Sequence, residues 1–407
     1  MKKDRRKFLK NSAALLSMGS FFQWGACSNV SANTSKATIE NIELFRYDIN
    51  IPRYFSFGTW HNRQHLFMKI SSGDFYGWSE VPASINNPDF DPSNWVNYLK
   101  QYIGLDIYSA QKLIWSQQKV GTSSTTKELE LIEIGLLDLI GRIENRPSVE
   151  ILGLQGRKAV PGLYCILQKD IAAEKKRTRE CVELNLNHLK FKMFGEKELD
   201  LQILKTIRKE IGEEAVVISD ANKGYKKWNS LEELALILNE FQANGLNAIE
   251  DPAKLETNQW IQLQNLTQDL ALIPDYPLRP AWESMENIRK GMGEIYNLHP
   301  SFMGSLKYSV ALSKKIKSYG AKVMVGDDSL VGPACTAWQQ IAIGANAAWV
   351  EAIEKKGDSD PFLDCIISSA TKPELDGTYS FTPKPGFGLE LDEEKLKGIC
   401  AAWVSVK

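Results

Sequence analysis

Cysteine is scarce and scattered in this chain. Of six, none forms a CxxC pair, and Cys165, Cys181, Cys335, Cys365 and Cys400 are widely spaced. Five cannot all pair within one chain, and a core built from 407 residues needs no disulfide staples. They read as small, mostly buried hydrophobes. An excess of one charge sign is also missing. The 49 basic and 50 acidic side chains leave a formal net charge of −1. That balance lacks the concentrated basic surface that phosphate backbones require, so nucleic acid is not an expected partner. Beyond the N-terminus no apolar run approaches the roughly 20 residues that span a bilayer. No period of about 20–50 residues repeats. What is present is ordinary globular composition, 43% hydrophobic and 24% charged, in a length that suits one large domain and a smaller one.

The N-terminus carries the first positive signal. Asp4-Arg5-Arg6-Lys7-Phe8-Leu9-Lys10 precedes a mildly apolar run from Ala13 to Phe22. Adjacent arginines, then Phe-Leu-Lys, then a weakly hydrophobic stretch resemble a twin-arginine export signal, a route that carries proteins already folded. Trp24-Gly25-Ala26-Cys27-Ser28 resembles a lipobox, although Trp24 stands where a smaller aliphatic residue is usual. Cys27 would then be the lipidated residue, with about 0.8 kcal/mol of membrane affinity per buried CH₂. The expectation is a signal over 1–27, a polar linker over 28–37, and an exported periplasmic protein, anchored to the membrane by lipid or released by simple cleavage.

From Thr38 to about Ala83 the pattern is a β-meander with a hairpin turn at Ser72-Gly73-Asp74. Residues 91–145 read as helical, and Leu131, Ile134, Leu137, Leu139 and Ile140 lie close to helical spacing. After Pro161 short apolar strands alternate with amphipathic helices. Strand-like runs end near Ile166, Lys192, Asp220, Glu250, Asp275, Leu298, Val325 and Glu351, at intervals that suit repeated β-α units and a parallel barrel. The predicted fold is α/β: a modified (β/α)7β TIM-type barrel over 151–372, an α+β capping domain over 38–150, and a segment over 373–407 that returns to the cap.

Charged residues recur where these runs end: Lys190 and Lys192, Asp220 and Asn222, Glu250, Asp275. Consecutive strand ends of a barrel are neighbours at its C-terminal rim, where active sites sit. Three carboxylates converging there would repel one another, and a hard cation such as Mg²⁺ resolves that repulsion.

Those motifs, with Gly77-Trp78-Ser79-Glu80, the helix Ile132 to Gly141 and Pro385-Gly386-Phe387-Gly388, make residues 38–400 similar to the enolase superfamily, in its muconate-lactonizing-enzyme-like and mandelate-racemase-type branch. The resemblance implies Asp220, Glu250 and Asp275 as ligands of Mg²⁺, with Mn²⁺ as an alternative, and a small carboxylate as substrate. It implies proton removal next to that carboxylate, leading to racemisation or epimerisation, or to elimination or cycloisomerisation. Lys192 would be the base, its pKa depressed by Lys190. Homo-oligomers are common in such enzymes.

The chain also departs from that pattern. His299 stands where a sixth-strand lysine is usual, and the surrounding Pro300-Ser301 and Met303-Gly304-Ser305 look most like o-succinylbenzoate synthases. His299 either does acid–base work or is a rim histidine. Asp328, near the seventh strand end, is a shortened carboxylate for catalysis or for orienting substrate. Glu351 stands alone, without the paired aspartates expected for a dipeptide ammonium. Asn222 orients the site, and Phe57 and Trp60 lie on a loop over the barrel mouth. The alternative to an isomerase or lyase is a non-catalytic metal-carboxylate binding protein of the cell envelope, descended from such an enzyme.

Overall fold

In the computed structural model the described residues are 37–118, 120, 125–154, 158–267, 269–351 and 360–406. The export signal and Cys27 lie outside them.

The N-terminal part is a twisted antiparallel sheet. Strands β1 (Asn41–Ile49), β4 (Arg63–Ser72) and β5 (Phe75–Ile85) pair in sequence order, and a short hairpin of β2 (Arg53–Phe55) and β3 (Gly58–Trp60) interrupts them. The last strand of the chain, Ala402–Val406, pairs antiparallel with β1. Helices α1 (Ile107–Gln118) and α2 (Thr126–Ile143) cover this sheet. α2 is apolar nearly all round, because one side meets the sheet and the other meets the barrel. Its approach to β5 depends on two glycines. A Cβ on Gly77 would lie 2.2 Å from the Gly135 carbonyl oxygen, and one on Gly135 would lie 2.6 Å from Met68 Cε.

Among the described residues, seven strand–helix units follow. The strands are β6 (Tyr164–Ile166), β7 (His188–Lys192), β8 (Val216–Asp220), β9 (Ala248–Glu250), β10 (Ala271–Ile273), β11 (Ile295–Leu298) and β12 (Lys322–Val325). The helices are α3 (Ile171–Glu183), α4 (Lys197–Ile211), α5 (Leu231–Ala243), α6 (Thr257–Leu266), α7 (Ala281–Asn287), α8 (Leu306–Ser318) and α9 (Pro333–Gly344). Side chains of Asp170, Ser230 and Ser305 cap the starts of α3, α5 and α8. Residues 348–351 form the eighth stave. Glu351 N–H donates to Val325 O at 2.7 Å, and Leu163 N–H donates to Val350 O at 2.9 Å, which closes the ring. Leu163, Ile218, Ala248, Ala271, Ile273, Ile295, Met324 and Trp349 fill the interior. The expected barrel and its cap are therefore present.

Buried carboxylates join the two parts. Glu80, at the end of the meander, accepts the N–H groups of Val331 and Gly332, both at 2.8 Å, at the start of α9. Glu130 accepts Ser301 N–H at 2.7 Å, Gly304 N–H at 3.1 Å and the Trp338 indole N–H at 2.8 Å. Glu133 accepts Leu306 N–H at 2.7 Å at the start of α8. Each carboxylate satisfies orphan donors at or near a helix N-terminus, where the dipole favours negative charge.

Burial pushes the Glu80 and Glu130 carboxyls up to about 8, although their N–H partners favour the charged form. The folded chain therefore holds protons that the unfolded chain has released between about 4.5 and 8, and these groups make stability fall as pH rises through that window. Glu130→Gln turns an NH₂ toward backbone donors and is expected to cost about 1–3 kcal/mol in urea unfolding at about pH 5. The gap between wild type and variant should narrow toward about pH 8, because only the wild type loses the Glu130 contribution.

Candidate active site at the barrel mouth

β7, β8 and β9 end in register, so Lys192 pairs with Asp220 across one ladder and Asp220 with Glu250 across the next. Asp275 lies two residues beyond β10, and His299 directly follows β11. Parallel staves thereby bring Lys190, Lys192, Asp220, Glu250, Asp275, His299 and Glu351 to one rim. The backbone is strained here. Asn222, Lys223, Asp251, Ser301 and Ser329 adopt φ of 45°, 62°, 40°, 68° and 67°, a region that non-glycine residues occupy at a cost.

Lys190 is the electrostatic centre. Its Nζ lies 2.7 Å from Glu351 Oε2, 2.9 Å from Glu250 Oε2 and 3.8 Å from Asp220 Oδ2. Burial opposes its charge, but Glu250, Glu351 and Asp220 outweigh burial and hold its pKa well above the ordinary value. Lys192 Nζ pairs with Asp220 Oδ2 at 2.5 Å. The expected depression of Lys192 by Lys190 is corrected by this geometry. Burial and the Lys190 charge do lower it, but Asp220, with Cys165 and Glu351, acts the other way, and the pKa of Lys192 is raised.

The third carboxylate is held differently. Arg279 engages both oxygens of Asp275, through Nε at 3.0 Å and through Nη2. Burial works against the Asp275 charge, yet Arg279 and then His299 keep its pKa below the usual value. Glu250 accepts a hydrogen bond from Asn297 Nδ2 at 3.0 Å on Oε1, and its Oε2 faces Lys190 Nζ at 2.9 Å. Burial, with Asp220, Asp275 and Glu351, pushes Glu250 well above the carboxylate range despite Lys190.

Among the described residues no three His, Cys, Asp or Glu side chains stand as a ready-made metal group. Asp220, Glu250 and Asp275 instead turn toward Lys192, Lys190 and Arg279. Their chemistry still fits a hard divalent cation. The donors are all oxygen and buried, and they are crowded enough that Asp220 and Asp275 help push the Glu250 pKa up against the pull of Lys190.

Above these groups lies a cavity of about 110 Å³. Of the residues singled out from sequence, Lys192, Asn222, His299, Asp328, Glu351, Phe57 and Trp60 line it. Lys190, Asp220, Glu250 and Asp275 adjoin it through the ion pairs. Phe57 and Trp60 sit on the β2–β3 hairpin rather than on an irregular loop. Phe55 stacks on Phe57 with centroids 5.0 Å apart and lies 4.6 Å from Trp60. Ser56 Oγ donates to Ala221 O at 2.8 Å, and Tyr54 N–H donates to Leu167 O at 3.2 Å, which ties the hairpin to the rim. Asn222 Nδ2 donates to Asp220 Oδ2 at 2.9 Å, as an orienting residue does. Asp328 is buried, and neither carboxylate oxygen has a hydrogen-bond partner. His299 Nδ1 lies 2.9 Å from Pro300 O, and burial, then Arg279, lower its pKa.

Sequence reasoning missed Arg53, Arg279, Asp327, Ser329 and Phe302, which also line the cavity. Nothing in the sequence marks Arg53 as a rim residue.

Lys190→Met removes the ammonium that three carboxylates share. It is expected to cost about 3–5 kcal/mol in urea denaturation, because buried charges lose their partner. Adding Glu351→Gln should recover part of that loss.

Residues 172–395 match the family described as enolase C-terminal domain-like. The chain is 23% identical over 374 residues to muconate cycloisomerase 1 of Acinetobacter baylyi, covering 88% of this chain and 98% of that protein. It is 23% identical over 298 residues to the hydrophobic dipeptide epimerase of Enterococcus faecalis, covering 73% of this chain and 79% of that protein. A muconate lactonizing enzyme from Pseudomonas fluorescens, solved with muconolactone, superposes with a TM-score of 0.75 at 20% identity, over 90% of this chain and 100% of that one. A dipeptide epimerase from Cytophaga hutchinsonii, solved with Mg and D-Ala-L-Val, gives 0.74 at 17% identity, over 91% of this chain and 100% of that one. The same arrangement of β-α units and the match across more than half of its length identify this chain as a member of the enolase C-terminal domain-like family.

Proposed function

We propose that the chain removes the proton next to the carboxylate of a small organic acid, with racemisation, epimerisation, elimination or cycloisomerisation to follow. One observation carries this reading. The Lys192 amine lines a cavity flanked by Phe55, Phe57 and Trp60, while Asp220 anchors it at the rim. The epimerase and cycloisomerase relatives support the same class of chemistry.

Asp220, Glu250 and Asp275 are the residues that would hold Mg²⁺, or Mn²⁺ in its place. Such a cation would stabilise the negative charge that develops on the substrate carboxylate. The chain's own side chains do the rest. Lys192 Nζ acts as the neutral amine: once it has released a proton to solvent and its pairing with Asp220 is loosened, its lone pair takes the proton from the carbon next to the carboxylate. Lys190 holds Glu250 and Glu351 in place beneath it. Phe55, Phe57 and Trp60 exclude water, which strengthens every charge interaction inside. β7 and β11 are the second and sixth staves of the ring, so Lys192 and His299 face each other across the mouth. On this reading His299, on the stave opposite Lys192, carries the proton transfer on the second face, with Asp328 beside it in the cavity lining. We also propose export by the twin-arginine route, with Cys27 as the lipidated residue, on the strength of Arg5-Arg6 and the Ala26-Cys27 context.

The test is solvent exchange. Incubated in D₂O with Mg²⁺ and a panel of carboxylic acids and dipeptides, the protein should place deuterium next to the carboxylate of one class. Lys192→Ala should lower that exchange by about 10²–10⁴-fold with bound Mg²⁺ unchanged. The Asp275–Arg279 contact motivates the other reading. If no acid exchanges while several bind only with Mg²⁺, the chain is a metal-carboxylate binding protein.

A further inference from the structure

Proton removal leaves an electron pair that spreads onto the substrate carboxylate, and in a dry cavity that charge needs a fixed cation beside it. Among the described residues, three cationic side chains line the cavity: Arg53, Lys192 and Arg279. Lys192 is engaged in the proton transfer. Arg53 is 3% exposed and donates through Nη1 to Ser329 Oγ. Arg279 is the one that remains open to the cavity, with 18% of its side chain exposed.

Its guanidinium is held in place from two sides. Nε and Nη2 bind both oxygens of Asp275, and the guanidinium carbon lies 4.5 Å from the centre of the Phe302 ring. Two of its five N–H groups are used in this way, and Nη1 makes no hydrogen bond to a described residue. A guanidinium stays charged through the physiological range, and its planar fork suits a carboxylate. Its neighbour His299 cannot fill this role, since the imidazole is buried beside Arg279 and both effects favour its neutral form.

We propose that Arg279 is a catalytic residue whose Nη1 amino group donates to the substrate carboxylate as that group gains charge. The inference rests on the function proposed above. In the step, the substrate C–H bond breaks and an N–H bond forms on Lys192. The C–H electron pair moves onto the carboxylate. Arg279 keeps all its protons and contributes only charge and hydrogen bonds. Asp275 then acts on the reaction in part through Arg279, by setting the plane of the guanidinium.

Isothermal titration of the full chain with Mg²⁺, and then with oxalate in the presence of Mg²⁺, tests this. Oxalate is a planar dianion that resembles the electron-rich carboxylate. Arg279→Met should weaken oxalate binding by about 10–100-fold while Mg²⁺ binding stays as in wild type. Arg279→Lys keeps the charge without the fork and should lie between the two. Should Arg279→Met misfold by circular dichroism, Arg279→Lys carries the comparison. Unchanged oxalate affinity in the variants overturns the proposal. So does parallel loss of Mg²⁺ and oxalate, since Arg279 would then serve only to orient Asp275. A wild type that binds neither Mg²⁺ nor oxalate overturns the functional reading itself, and this inference with it.

Discussion

A single ammonium, that of Lys190, touches carboxylates from three other staves of the barrel. Asp220 comes from β8, Glu250 from β9 and Glu351 from the eighth stave. Taking four charges out of water is unfavourable unless their geometry compensates for it. Here the parallel register supplies the geometry, because strand ends that finish level place their last side chains at one height. The arrangement also fixes where anything else can bind. Lys192 is left with Asp220, Asp275 is left with Arg279, and the free space is confined to the cavity above.

The same logic operates between cap and barrel. Polar groups of the cap do not meet the barrel through side-chain pairs alone. Glu80, Glu130 and Glu133 receive backbone N–H groups from the segments that follow the sixth and seventh strands. Those segments carry His299 and Asp328. Side chains at the barrel mouth therefore take their positions in part from carboxylates in the other part of the chain. This is why residues 37–407 do not divide by their contacts.

Much of this was legible in the sequence. Period and spacing located the strand ends at Ile166, Lys192, Asp220, Glu250, Leu298 and Val325, because a strand buried on both faces leaves a short apolar run that stops at its first rim charge. Two fell outside a strand: Asp275, two residues past Ile273, where a proline had extended the apparent run, and Glu351, which follows the isolated bridge residue Val350. Of the rim residues named from spacing, Lys192, Asn222 and Glu351 line the cavity, and the others adjoin it through ion pairs. What stayed hidden were the interactions between distant segments. Arg279 is unremarkable in one dimension, since its importance lies in reaching back four residues to Asp275. Arg53 sits on a cap strand, and its approach to Ser329 depends on how the hairpin folds over the mouth. The direction of the Lys192 shift was out of reach for the same reason. It follows from competing distances to Asp220 and Lys190, and a sequence contains no distances.

The hairpin over the mouth has a consequence of its own. Tyr54, Ser56 and the three clustered aromatics narrow the entrance with a few hydrogen bonds and ring contacts. Each molecule that enters or leaves must part those contacts, and each departure must re-form them. The doorway thus acts as a metronome as much as a wall, and substitutions there would alter the rhythm of turnover while leaving the bond-breaking apparatus as it was.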